Sequence, residues 1–147
     1  MDKEKTVESF QNAKKVYEEQ MEKLEVAMDG SNIKIPTAAL QTAYVFGKWL
    51  YLGNDDLRSI LGSLFYDKIE ILHVRWHEEY IKTFDIFFQK QKKGFFQNAF
   101  GNSKVSGMEL EKANSYYKEL KVITKELIKT IDSSERRLGA LAESKFN

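Results

Sequence analysis

Near the start of the chain, apolar side chains return at alternating steps of three and four residues: Val7, Phe10, Tyr17, Met21, Leu24 and Met28, with Lys14 as the polar member of the row. That heptad spacing belongs to a helix that buries one stripe against its neighbours. Ala13, Val16 and Ala27 widen the stripe, while Glu8, Lys15, Glu18, Glu19 and Glu22 form a solvated opposite face. The pattern predicts a first helix over about residues 3–28. It closes at Asp29-Gly30, where glycine accepts the left-handed conformation of a helix cap.

Pro36 blocks helix upstream of the next apolar segment, and Thr37 suits its N-cap. The predicted second helix, about 37–52, is apolar nearly all round through Leu40, Tyr44, Val45, Phe46, Trp49, Leu50, Tyr51 and Leu52. Such a helix is buried on several sides or covered by a partner. Ala39, Ala43 and Gly47 follow at four-residue steps, a small-residue face that lets another helix approach closely.

Gly53, Asn54, Asp55 and Asp56 mark the start of a third helix, with asparagine as the cap and the aspartates at the positive end of the helix dipole. Apolar periodicity then continues to about Lys93. Ile60, Leu64, Ile71, Val74, Ile81 and Phe88 form one row. Leu61, Phe65, Leu72, Trp76 and Phe87 form a second beside it, flanked by Ile69 and Phe84. Two rows predict contact with at least two neighbours, which makes 55–93 the expected central helix, about 60 Å long if unbroken. A fourth helix, about 107–143, opens on Ser106-Gly107-Met108-Glu109 with capping-box spacing. Its row is Ala113, Tyr117, Leu120, Thr124, Leu127, Ile131, Ser134, Leu138 and Leu141, broadened by Tyr116, Ile123 and Ile128. Asp132-Ser133-Ser134 is a candidate kink, and the final residues are expected to fray.

These segments predict an all-α fold: an elongated antiparallel four-helix bundle, one domain over 1–147, with a coiled-coil-like hairpin of the third and fourth helices. A length of 147 residues suffices for a core without disulfide or metal staples. The absence of cysteine excludes thiol catalysis and Cys-type zinc sites. Met1-Asp2-Lys3-Glu4-Lys5 is followed by no apolar stretch, and the densest apolar segment, about Ala38–Leu52, is too short and too polar to span a bilayer. A cytoplasmic location is expected on that basis. A net charge of +1 supplies no global field toward nucleic acid or anionic lipid. Lysines outnumber arginines 19 to 4, a usage typical of AT-rich bacterial, plasmid or phage coding sequence.

His73 and His77 stand one helical turn apart, so both imidazoles share a face where they could hold a metal. Glu70 precedes His73 in the Glu-x-x-His order of di-iron bundles, but those need two such pairs and further inward glutamates. The alternative is an aromatic-polar flank shared with Tyr66 and Tyr80. Neither a Gly-x-Ser-x-Gly elbow nor a phosphate-cradling glycine loop occurs. No enzyme is predicted, and no catalytic residue, cofactor or metal is assigned.

From Phe87 to Lys104 the chain carries four lysines and no acidic residue. Phe95, Phe96, Ala99 and Phe100 fit one amphipathic turn, which either folds back over the bundle end or presents an aromatic-basic tip, 90–104. The expected function is a non-enzymatic protein-binding module: an adaptor, dedicated chaperone or inhibitor. Its expected contacts with another protein are Lys90, Lys92, Lys93, Phe95, Phe96, Phe100 and Lys104 at the tip, with Trp49 and Tyr51. A homo-oligomer sharing the apolar second helix is a further option. Nucleic acid or anionic membrane at Lys90–Lys104 ranks behind protein, because nucleic-acid binders carry a larger cationic footprint richer in arginine.

Overall fold

The heptad row at the start of the chain forms the helix it predicts. The computed structural model describes residues 2–28, 46–47, 49–50, 54–86 and 107–146, and within it α1 spans Lys3–Met28. Further along the chain come α2, Asn54–Leu61, α3, Ser63–Phe84, and α4, Gly107–Ala140. A short 3-10 turn follows at Glu143–Phe146. Phe46, Gly47, Trp49 and Leu50 are helical as well. No strand occurs among the described residues, and the fold is an all-α antiparallel bundle.

Cross-helix contacts fix the directions. Lys3 Nζ donates to the Leu141 carbonyl at 2.7 Å, Gln11 Nε2 donates to Glu135 at 2.6 Å, and Lys14 pairs with Asp132 at 2.9 Å. Numbers rise along α1 as they fall along α4, so the two run antiparallel. The same holds for α3 and α4: Arg137 lies over the Phe65 ring, Trp76 Nε1 donates to Thr124 Oγ1 at 2.8 Å, and Lys82 lies over the Tyr116 ring.

The shared helix is α4 and not the 55–93 segment, because α4 packs against α1, α2 and α3. Its long row supplies the reason. Ala113, Leu120, Ile123, Leu127, Ile131 and Leu138 are buried together with Thr124, Thr130 and Ser134. These three hydroxyls donate to the carbonyls of Leu120, Glu126 and Thr130, one turn back. Small polar residues so satisfied can enter a core without leaving a hydrogen bond unmade, and they let neighbouring helices close in. The candidate kink at 132–134 does not interrupt α4, whose helix continues to Ala140.

The expected unbroken 55–93 helix is divided at Gly62, which has φ 93 and ψ 143. Only glycine enters that region without a steric penalty from Cβ. Upstream of the break Leu57 and Leu61 are buried; downstream Tyr66, Ile69, Leu72, Trp76 and Tyr80 are. A fully buried leucine or aromatic of this kind contributes about 1.5–3 kcal/mol. Residues 87–93 and the 90–104 tip lie outside the described residues. The expected fraying at the C-terminus does not occur through residue 146: Phe146 is buried in the core cluster, and its 3-10 turn packs against α2.

Candidate interaction surface

The outward face of α3 is built from residues expected to be core. Leu64 is 81% exposed, Ile71 60%, Val74 44% and Ile81 45%. Only Ile60, upstream of Gly62, packs partly against the core from that row. The correction has a physical basis. The competing row carries the large aromatics and specific hydrogen bonds, with Tyr66 Oη donating to the Leu50 carbonyl at 3.0 Å and Trp76 bonded to Thr124. The aliphatic row is interrupted at its own heptad positions by Asp67 and Glu78, and burying an unpaired carboxylate costs several kcal/mol. Those two acids are the signal in the sequence that the row faces water.

Charge borders this row on one edge at heptad spacing: Lys68, Arg75 and Lys82, all exposed. Lys68 lies 3.8 Å from Glu126, Lys82 pairs with Glu79 at 2.8 Å, and Asp67 pairs with Arg58 at 3.1 Å. Exposed pairs of this type hold their partners weakly. An open groove lies along the upstream half of the face, lined by Ser63, Leu64, Asp67, Lys68, Ile71 and Leu72. Four aliphatic side chains at helical spacing on one exposed face differ from single exposed apolar residues elsewhere, such as Val122.

The two histidines lie on the opposite, inward side. His73 is buried, and its Nδ1 shares a hydrogen bond with Tyr17 Oη at 2.6 Å. Its ring meets His77 with centroids 4.5 Å apart, and Phe46 and Tyr17 edge-on at 5.8 and 6.4 Å. Burial, helped by the neighbouring His77, pulls the His73 pKa down to about 4. Burial also lowers that of His77 and raises that of Tyr80. On its far edge, His73 faces the backbone of Gly47, where a Cβ would stand 2.6 Å from Nε2. The small-residue face thus admits a close approach at Gly47, while Ala39 and Ala43 lie outside the described residues. Among the described residues, no three His, Cys, Asp or Glu side chains converge as metal ligands. The cluster chemically resembles a satisfied aromatic-polar core layer, with neutral imidazoles shielded from substrate.

Of the contacts expected from sequence, Lys90, Lys92, Lys93, Phe95, Phe96, Phe100, Lys104 and Tyr51 lie outside the described residues. Trp49 is half-buried: it stacks on Phe46 at 5.8 Å and meets Phe10 edge-on at 5.5 Å. Core packing therefore accounts for that ring, and it is not part of the exposed surface. Among the described residues, no helix is long and apolar enough to cross a membrane. Compared with protein-family models, curated proteins and solved structures, the chain matches none.

Proposed function

We propose that this chain is a non-enzymatic protein-binding helical module, acting as an adaptor, dedicated chaperone or inhibitor in the cytoplasm. The observation that carries the reading is the exposed row Leu64, Ile71, Val74 and Ile81 on α3. Leaving several aliphatic side chains in water on one face forgoes stabilisation of about 25 cal/mol per Å² of apolar surface, a cost offset when a partner covers them. Both signs of charge border the row, an arrangement suited to a protein surface and unsuited to a phosphate backbone or anionic bilayer.

A photo-crosslinking amino acid placed at Ile71 tests this in the native host. The expected result is a discrete protein adduct at position 71 and none from the same probe at Lys125 on the outer face of α4. Equal adducts from both positions, or none from 71, would overturn the proposal.

A further inference from the structure

Resting on that reading, we infer that the outer face of α3 docks a single amphipathic helix of another protein, apolar along its seam, basic opposite Asp67 and Glu78, and acidic along the edge that meets Lys68, Arg75 and Lys82. The row runs from Leu64 to Ile81, about 26 Å along the helix axis, the scale of one docked helix of several turns. Its order, Leu64, Asp67, Ile71, Val74, Glu78, Ile81, is apolar, acidic, apolar, apolar, acidic, apolar. The layer chemistry is the same in either direction, so a partner helix with the complementary pattern fits both ways along the seam. The exposed basic edge then selects its acidic flank.

Charge decides against a second copy. Laid antiparallel about the middle of the row, two copies would set Leu64 on Ile81 and Ile71 on Val74, but Asp67 on Glu78 at both ends. The two basic edges would also share one side. Laid parallel, Asp67 and Glu78 would each meet their own duplicate. Carboxylates pressed together in a seam repel and resist ionisation. Arg75 and Glu78 have no ion-pair partner among the described residues, so each remains available to a partner of opposite sign.

The test uses the full chain and two labelled helical peptides with leucines at the seam positions. One carries lysines opposite Asp67 and Glu78 and glutamates along the edge facing Lys68, Arg75 and Lys82; the other has every charge inverted. Fluorescence anisotropy should show the matched peptide binding at least tenfold tighter. Ile71→Ser should abolish binding with the far-UV dichroism unchanged, and Arg75→Glu with Glu78→Lys should reverse the preference. Equal affinity for both peptides, or binding indifferent to Ile71→Ser, overturns the inference. So does self-association by light scattering that Ile71→Ser removes, which would assign the face to a second copy. If neither peptide binds while position 71 still crosslinks to a protein, the docked helix is wrong and the protein-binding reading stands.

Discussion

Lowering the pH from 7 to 5 should cost the fold about 2 kcal/mol through His73 alone. Burial pulls this imidazole from the ordinary 6.5 to about 4. The unfolded chain takes up the proton near pH 6.5, while the fold resists it until about pH 4. Stability from the neutral ring is therefore complete above pH 6.5 and is lost progressively as the pH falls toward 4. Each pH unit between the two values is worth about 1.4 kcal/mol, so the full loss is about 3 kcal/mol below pH 4. That is a large fraction of the about 5–15 kcal/mol that holds a domain together. His77 adds to the loss in the same direction. Urea unfolding followed by circular dichroism at pH 7, 6 and 5 provides the assay, with His73→Asn as comparison. The asparagine amide keeps a hydrogen-bonding partner near Tyr17 Oη, now 2.6 Å from Nδ1, but does not titrate. The variant should be less stable at pH 7 yet lose about 2 kcal/mol less on acidification. Carboxylate contributions, such as that of Asp132 to Lys14, cancel in the comparison. Equal losses in the two proteins would refute a neutral, buried His73.

Gly62→Ala should lower stability by about 1–3 kcal/mol through backbone strain alone, since a Cβ there would meet only Arg137 Nη2 at 3.7 Å; a urea midpoint unchanged from wild type would contradict it. Gly47→Ala places a methyl 2.6 Å from His73 Nε2 and should cost about 1–3 kcal/mol. His73→Ala in the same chain should return part of that loss, whereas strictly additive losses in a double-mutant cycle would dissolve the contact. Trp76→Phe removes the 2.8 Å bond to Thr124 and should lower stability by about 1–2 kcal/mol by calorimetry. A neutral result would mean Thr124, which keeps its bond to Leu120, has no use for the indole.

The helical class and most of the helix positions were legible because heptad rows are local. The Ala113–Leu141 row and the Val7–Met28 row both face the core, and α1 matches its expected span. Two things were not local. Two apolar rows competed for the interior of the third segment, and choosing between them required the cross-helix bonds of Tyr66 and Trp76. Gly62 passed as an ordinary helical glycine because a single glycine inside a good period costs only about 1 kcal/mol and often stays helical. At the surface, periodicity led away from the site: the aliphatic residues now exposed were assigned to the core, and Trp49 was assigned to the surface although it stacks on Phe46. The acids within the row carried the missing information, since charge at seam positions is incompatible with burial unless paired.

One glycine also settles which of two amphipathic solutions the chain adopts. A continuous helix through Gly62 would place Leu64 within about 20° of Leu57 around the axis, yet Leu57 is fully buried and Leu64 is 81% exposed. The break resets the angular phase of everything after it, so the aliphatic seam begun by Leu57 and Leu61 continues outside the molecule while the aromatic row takes its place within. The outer face is in this sense a by-product of backbone geometry at one residue, upstream of every side chain that forms it. A substitution that let the helix run straight through would act on binding from a distance, by turning the seam back toward the interior.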